Sequence, residues 1–335
     1  MLTEFTDANL KVQLQLQEPW VQDFVDEHGK EKHAHGQTKL LWSNLLGLAL
    51  VEEHIRDWEK KHKKKDKRKI QLVVAGASPG THMLVLLEHL EQWRGTRSVE
   101  IHFYDPRALD ETLLEHVSND STMSFRRQNF EDADAEHWKA VDRNKNCVVF
   151  FSDIRGGIHG KEEHMHADEA IIAADMQAQQ RWVQLMAPDY CMLKFHAPHA
   201  TPDNHCMPDS FYYMSGDLYE QAYVGLFSGE HRLFCTRNNI SQQHVYVPEK
   251  LEKHSFFHTY VTRPRTFSVQ GKHMQYDDAF AAHVAQKAAR VLGVDANRLL
   301  HEAHEKLRAP RMKFAWPAAQ MSRVQRLHCR MLQIL

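Results

Sequence analysis

A lysine and an aspartate accompany two apolar segments that have the composition of buried strands. Asp153 follows an uninterrupted apolar run, and Lys194 lies inside another. A lysine buried among apolar residues is costly to keep charged, so its pKa falls, and the neutral amine is a competent general base. The aspartate alone would raise that pKa again, or would form a purely structural ion pair. A second cation, for which Lys39 is the candidate, would lower it, and Glu230 offers a second carboxylate.

A turn rich in small residues follows the apolar run Leu72–Ala75 and precedes a helix that begins near Thr81. The turn consists of Gly76, Ala77, Ser78, Pro79 and Gly80. Small residues let a ligand approach the backbone closely, and a helix start offers unpaired N–H groups, although such a turn is also a common plain connection. Asp105 lies 25 residues beyond the turn, where an acidic side chain can bind the hydroxyls of a ribose. Because the turn lacks the G-x-G-x-x-G pattern, a dinucleotide is disfavoured.

These residues need a sheet to bring them together. Strands and helices alternate between residues 70 and 195, which predicts a doubly wound, mostly parallel α/β sheet. The predicted strands span residues 72–75, 99–104, 123–127, 147–151 and 190–195, followed by an antiparallel edge hairpin of 221–227 and 232–236. The predicted helices span residues 37–58, 83–93, 109–117, 133–140, 168–187, 277–292 and 296–307. Ligands bind beyond the carboxyl ends of such strands, which is where the residues above lie.

Length and composition favour one large domain, or one domain with appendages. The chain has 335 residues, of which 42% are hydrophobic and 26% charged, and we divide it into an N-terminal extension (1–36), a core (37–248) and a mainly helical C-terminal extension of the same domain (249–335). The net charge of −2 gives no global electrostatic argument for nucleic acid. The five widely spaced cysteines predict a reducing compartment without disulfides, and the absence of a signal segment or apolar span predicts a soluble, intracellular protein.

Two charged segments have alternative interpretations. The basic run at residues 60–69 is either a solvated connector or a secondary contact for RNA or protein. Because it enters the amino end of the first strand of the sheet, it is expected to lie away from the ligand-binding edge. The last segment, 321–335, has apolar residues at helical spacing with interleaved arginines, so it either docks on the body of the protein or binds a partner or RNA.

Six segments in succession match the motifs of one family. They are residues 36–41, 75–82, 103–107, 150–157, 192–198 and 228–234. In order and spacing they resemble the poxvirus cap-specific mRNA 2′-O-methyltransferase, a family whose members are also the small regulatory subunit of the viral poly(A) polymerase. The resemblance implies a Rossmann-like, S-adenosylmethionine-dependent methyltransferase fold and a source in a large DNA virus.

The resemblance also assigns roles to residues. The Lys-Asp-Lys-Glu tetrad of the family corresponds to Lys39, Asp153, Lys194 and Glu230, with Lys194 as the base that deprotonates the ribose 2′-hydroxyl of the first transcribed nucleotide. S-adenosylmethionine is the implied cofactor and S-adenosylhomocysteine the product, and no metal is required. The implied cofactor-binding residues are Gln37, Gly76, Ala77, Ser78, Pro79, Gly80, His82, Asp105, Arg107, Phe130 and Asp153.

Cap recognition is where the sequence departs from the family. The position of an aromatic residue that stacks on the methylated guanine is occupied by His199, which stacks less strongly. Asp203 and Glu252 are the candidates for the guanine edge, and Trp20 or Phe24 for the other stacking face. The implied partners are the capped 5′ end of mRNA and a poly(A) polymerase catalytic subunit or other transcription and capping proteins. No membrane is involved, and the implied location is the host cytoplasm or the virion.

The 25 histidines raise the question of a metal. One group consists of His159, His164, His166 and Asp168, and a second of His196, His199, His205 and Cys206. Neither has the paired short spacing of a structural zinc site, so we predict no metal; the first group is expected to border an RNA groove, with Arg155, Lys161, Arg232 and Arg237 as exposed candidates for phosphate contacts. Two other functions stay open: methylation of ribosomal or internal RNA, and a non-catalytic role as a polymerase processivity subunit.

Overall fold

A seven-stranded sheet forms the centre of the computed structural model, which describes residues 3–14, 36–156, 169–198, 208–225 and 228–307. The strands of the described residues are β1 (Thr3–Glu4), β2 (Lys69–Ala75), β3 (Val99–Tyr104), β4 (Met123–Arg126), β5 (Asn146–Ser152), β6 (Tyr190–His196), β7 (Phe211–Met214), β8 (Asp217–Tyr219), β9 (Glu230–Thr236), β10 (Gln243–Tyr246), β11 (Thr266–Val269) and β12 (Lys272–Gln275). The order in the central sheet is β4-β3-β2-β5-β6-β9-β8. The strands from β4 to β6 are parallel, and β9 is antiparallel to both β6 and β8. The predicted mostly parallel α/β sheet is thus confirmed.

Helices cover both faces of this sheet. They are α1 (Gly36–His62), α2 (Thr81–His89), α3 (Glu91–Thr96), α4 (Glu111–Asn119), α5 (Asp132–Lys139), α6 (Glu169–Met186), α7 (Arg237–Ile240), α8 (Pro248–Phe257), α9 (Tyr276–Leu292) and α10 (Ala296–Leu307). In β2, Leu72 and Val74 pack into the core that α1, α2 and α9 share, whereas Val73 and Ala75 pack into the core beside α5 and α6. Alternate residues of one strand therefore pack into opposite cores, which explains the long apolar runs in the central strands, such as Leu72–Ala75 of β2.

The basic run belongs partly to regular elements. Lys60, Lys61 and His62 form the last turn of α1, where positive charge is favourable against the helix dipole, and Lys69 is the first residue of β2. The predicted helix 37–58 therefore continues for another turn. The run lies at the amino end of β2, opposite the Gly76–Gly80 turn that follows the carboxyl end of this strand.

The predicted edge hairpin was wrong in its first strand. Residues 221–225 form no strand, and the segment that pairs antiparallel with β9 is β8, which ends at Tyr219. The apolar run misled the prediction because Tyr223 has a φ of 60°, outside the range of a strand, and its hydroxyl is anchored by donating to Asp278. The second strand, β9, begins at Glu230 rather than at residue 232.

The region after residue 249 is not only helical. Residues 266–275 form a hairpin, β11 and β12, whose two turn residues, Gln270 and Gly271, both have positive φ. Such a two-residue turn suits the twist of a hairpin, so the pair was an available sequence signal. The hairpin also pairs with β1, while α9 packs against α1. Among the described helices, none is long and apolar enough to cross a membrane.

Candidate active site

The candidate residues meet at one edge of the central sheet because of strand direction. Gly76 follows β2, Asp105 follows β3 and Asp153 follows β5, and these parallel strands end at the same edge. Since β9 runs antiparallel to β6, its first residue, Glu230, lies at this edge too, opposite the carboxyl end of β6 that carries Lys194. Lys39 reaches the same place from the first turn of α1. The order and direction of the elements thus bring together residues that lie up to 191 positions apart in the sequence.

The four residues of the predicted tetrad form a connected chain of contacts. The Nζ atom of Lys194 lies 3.2 Å from Asp153 Oδ1 and 3.5 Å from Glu230 Oε2. The Nζ atom of Lys39 donates to Glu230 Oε1 at 2.5 Å. Only 12% of each lysine side chain and 4% of the Glu230 side chain are exposed. The Lys194 amine is therefore held between two carboxylates in a largely enclosed site.

Arg232 is a member of the site that the sequence interpretation placed elsewhere. We expected an exposed phosphate contact, but its side chain is buried, with Nη2 2.6 Å from Asp153 Oδ1 and Nε 2.8 Å from Gln221 Oε1. Gln221 in turn donates to Glu230 Oε1 at 3.1 Å. Strand periodicity could have located Arg232, because residues two apart on β9 face the same side as Glu230. No comparable signal pointed to Gln221, which lies outside any strand.

The other predicted phosphate contacts differ in position. Arg155 is at the site and half-exposed, and its Nη2 atom lies 2.7 Å from Glu230 Oε2. Arg237 follows the far end of β9, and its guanidinium lies 3.8 Å from Asp189 at the opposite edge of the sheet, so it was wrongly grouped with the site. Lys161 lies outside the described residues.

The charges of the site determine which groups are ionised. Burial alone would raise the pKa of Asp153 and Glu230, but the surrounding cations outweigh it and hold both pKa values below their usual range. Burial lowers the pKa of Lys194, and Lys39 and Arg155 add to this effect against the two carboxylates. Two carboxylates face three cations besides Lys194, namely Lys39, Arg155 and Arg232. A neutral Lys194 amine therefore leaves less excess positive charge than a protonated one.

The backbone of the Gly76–Gly80 turn favours glycine at both of its ends. A Cβ atom on Gly76 would lie 2.8 Å from the backbone of Asp153, and its φ is +80°. Gly80 has a φ of +78° and precedes α2, and the peptide bond between Ser78 and Pro79 is cis. The turn is therefore pressed against the start of the Asp153 loop, so the two segments form one surface.

Asp105 is engaged with the turn and with Arg107. Its Oδ2 atom accepts from the Ser78 N–H at 2.9 Å, and its Oδ1 atom accepts from the Arg107 N–H at 2.9 Å and from Arg107 Nε at 3.0 Å. Although burial opposes it, these hydrogen bonds hold the pKa of Asp105 below its usual range. The Arg107 side chain is 58% exposed, so the carboxylate is covered by a guanidinium that faces solvent.

A small pocket lies between the turn, α1 and the tetrad. It is lined by Leu40, Asn44, Val74, Gly76, His82, Phe151, Ser152, Asp153, Met192 and Arg232. The Oε1 atom of Gln37 accepts from the backbone N–H of His82 at 3.2 Å and lies 2.8 Å from His82 Nδ1, while Asn44 Nδ2 lies 3.0 Å from His82 Nε2. Burial lowers the pKa of His82 to about 4, so the imidazole is neutral at pH 7.

Comparison with known proteins identifies the family. A family model described as "Poly A polymerase regulatory subunit" matches residues 9–284. The chain belongs to this family. No curated protein matches the chain. The matched span of this regulatory-subunit family contains the tetrad, the Gly76–Gly80 turn and the pocket.

The remaining predicted residues of this family member are less closely associated with the pocket. The Phe130 ring is only 3% exposed and packs on Tyr104, Phe150 and Trp182, so it offers little surface to an adenine. Glu252 lies on α8 and is half-buried. Four residues lie outside the described part of the chain: Trp20, Phe24, His199 and Asp203. The same holds for both predicted histidine groups apart from His196.

Proposed function

We propose that this chain is an S-adenosylmethionine-dependent RNA methyltransferase that modifies the ribose 2′-hydroxyl of the first transcribed nucleotide of capped mRNA. The observation that carries the proposal is the Lys194 amine, held between Asp153 and Glu230 with a lowered pKa, beside the pocket of the Gly76–Gly80 turn. A base of this kind suits deprotonation of a hydroxyl, because a lysine amine must be neutral before it can accept a proton.

The neighbours of Lys194 support this role. The neutral Nζ atom accepts the proton of the 2′-hydroxyl as that oxygen attacks. Asp153 and Glu230 then stabilise the resulting ammonium, since each lies within 3.5 Å of the amine. Lys39 and Arg232 keep both carboxylates ionised and fixed in position, so little reorganisation is needed during the transfer.

Two features of the pocket support the proposed cofactor. Because Gly76 has no side chain, the Asp153 backbone packs directly against the turn, and the buried Ser152 Oγ atom has no hydrogen-bond partner within the described residues. S-adenosylmethionine supplies, when bound, a methyl group that carries its own leaving group. The Gly76–Gly80 turn would hold its amino-acid portion, and Asp105 its ribose once Arg107 moves aside. This chain's residues align the acceptor with that methyl group, which is the main requirement of such a reaction.

The choice of capped mRNA rests on the resemblance to the poxvirus enzymes and on local charge. Arg155 is half-exposed beside Glu230, where it can contact a phosphate of the RNA. We propose Trp20, His199, Asp203 and Glu252 as the groups that contact the guanine. Methyl transfer should be compared on short RNAs that carry a methylated cap, an unmethylated cap or a 5′ triphosphate. Equal transfer to all three would favour ribosomal or internal RNA as the substrate.

The catalytic assignment is tested by Lys194→Ala. We expect methyl transfer to fall to background, while calorimetry shows unchanged binding of S-adenosylmethionine, because Lys194 does not line the pocket. Lys69→Ala is the matched control, since Lys69 pairs with Glu100 at the opposite end of β2 and should leave both measurements unchanged. Undiminished transfer by the Lys194 variant would rule out the general-base role.

A second candidate function follows from the family description. We propose that the chain also binds a poly(A) polymerase catalytic subunit, supported by the match over residues 9–284. Co-purification with such a subunit and a change in the length of its poly(A) product would support this function. A monomer without effect on tail length would contradict it and would leave the methyltransferase proposal untouched.

A further inference from the structure

A buried cluster of histidines surrounds one carboxylate next to the tetrad. Glu220 Oε1 contacts His254 Nε2 and lies 3.8 Å from His258 Nδ1, and Glu220 Oε2 lies 3.4 Å from His231 Nδ1. All four side chains are at least nine-tenths buried. The tetrad does not use them, because successive residues of a strand face opposite sides and His231 lies between Glu230 and Arg232.

The spacing of these atoms matches a metal site. One ligand atom each from Glu220, His254 and His258 lies within 4.8 Å of the others. A tetrahedral zinc ion with bonds of about 2.0–2.1 Å holds neighbouring ligand atoms about 3.4 Å apart. The distances of 3.4 Å and 3.8 Å between Glu220 oxygens and imidazole nitrogens are close to this value, whereas the Glu220–His254 contact must open to admit an ion. His231 contacts the other oxygen of Glu220 and lies outside the group of three, so its side chain must rotate toward the ion to become a ligand.

The charge of the cluster favours a cation. Within the described part of the chain, every ion-pair partner of Glu220 is an imidazole. A buried carboxylate needs a compensating charge, and no lysine or arginine pairs with Glu220 among the described residues. The buried Nδ1 atom of His231 faces Glu220 without a hydrogen bond in the described structure. An imidazole nitrogen without a hydrogen bond is available as a metal ligand.

The backbone positions the ligands as expected for a metal site. His254 lies on α8, and His258 follows four residues later at the start of a π-helical turn, so both face the same side. Glu220 directly precedes Gln221, which donates to Glu230. An ion here would join α8, the 220–221 segment and β9.

We propose that Glu220, His254 and His258 bind a zinc ion, with His231 as the fourth ligand, and that this zinc has a structural role. It fixes the two segments that carry Gln221, Glu230 and Arg232, and so preserves the geometry of the tetrad without taking part in the transfer. Four protein ligands of carboxylate and imidazole type suit zinc in a closed site. The alternative is a metal-free cluster in which imidazoles hydrogen-bond to the carboxylate.

The experiment measures zinc in the full-length chain by plasma mass spectrometry after equilibration with stoichiometric zinc and gel filtration. We expect one equivalent in the wild-type chain, and affinity weakened more than about tenfold in Glu220→Gln and in His258→Gln. His102→Gln is the matched control, because His102 is a largely buried histidine that bonds Ser124 and Gln71 far along the sheet. This control should retain its zinc.

The proposal would be overturned if the folded wild-type chain held no zinc. It would also be overturned if the wild type and both variants held the same amount of zinc, because the ion would then lie elsewhere.

If the variants fail to fold, measurements on the wild-type chain still test the proposal. We expect chelation to lower its melting temperature and zinc to restore it, and cobalt to give the visible absorption of tetrahedral coordination with a nitrogen and oxygen ligand set. Chelation without effect on melting would contradict a structural zinc.

Discussion

Replacing Lys39 by methionine removes one positive charge from the tetrad and retains most of the side-chain volume. Each of the amines of Lys39 and Lys194 lies within 3.5 Å of an oxygen of Glu230. They are therefore no more than about 8 Å apart, and with an effective dielectric constant near 20 their repulsion is about 2 kcal/mol. This repulsion lowers the pKa of Lys194 in the wild-type chain. Its loss favours the protonated amine.

We expect the loss of activity in Lys39→Met to depend on pH. Because the base that we propose is the neutral amine of Lys194, we expect the rising limb of kcat/KM against pH to move to higher pH in Lys39→Met. About 2 kcal/mol corresponds to a roughly 30-fold loss at a pH below the pKa of the amine. At high pH, where Lys194 is neutral in both proteins, the two rates should converge.

The assay is transfer of a labelled methyl group to a short capped RNA across a range of pH. Lys39→Arg keeps the charge and should retain a profile close to that of the wild type. Lys69→Met removes an equivalent charge at the far end of β2 and should leave the profile unmoved. A loss in Lys39→Met that is the same at every pH would refute the electrostatic argument, because it would show that Lys39 acts only by positioning Glu230.

Three further substitutions test the surroundings of the site. Arg232→Met removes the 2.6 Å partner of Asp153, which keeps its 3.2 Å contact with Lys194, and we expect a loss of about 1.5–3 kcal/mol in the free energy of unfolding, measured with urea. Gly76→Ala places a Cβ against backbone at positive φ, which should cost at least about 1–2 kcal/mol and weaken cofactor binding measured by calorimetry. In His82→Gln, stability should fall less as the pH drops from 6.5 to 4. Between these pH values the His82 side chain of the wild-type chain is protonated in the unfolded state but not in the folded state. This difference lowers the free energy of unfolding of the wild-type chain by up to about 3 kcal/mol.

Two of these substitutions have a matched control elsewhere in the chain. Arg237→Met removes a half-exposed arginine from the far end of β9 and should change stability by less than about 1 kcal/mol. Gly95→Ala adds a Cβ in open space on α3 and should be neutral or stabilising. Equal effects of the paired arginine substitutions, or of the paired glycine substitutions, would contradict the burial and close-packing arguments. An unchanged pH slope in His82→Gln would show that another group carries the acid sensitivity.

The edge hairpin shows where sequence patterns failed. The apolar composition of residues 221–225 was typical of a strand, but the positive φ of Tyr223 and its bond to Asp278, 55 residues away, stop the chain from extending. Helix and strand patterns report local preference, and here a distant contact overrides them. The hairpin at 266–275 was not predicted for the opposite reason, because its only local signal is the short turn at Gln270 and Gly271.

The central strands, by contrast, could be located to within about one or two residues at most ends. Their continuous apolar runs indicate strands that are buried on both faces, because a charge in the middle of such a strand is costly. Lys194 and Asp153 stand out for the same reason, because one lies within such a run and the other directly follows one. Their residue types indicate the acid–base chemistry that we propose.

The sequence alone determined the parallel sheet, the edge at which its functional side chains gather, and the family resemblance. Only the tertiary structure decided which groups touch. It placed Arg232 against Asp153, covered Asp105 with Arg107, and brought Glu220 together with three histidines. The physical reason is that composition and periodicity fix which face of an element is buried. The partner that a buried charge meets depends on strand order and direction, which join residues far apart in the chain.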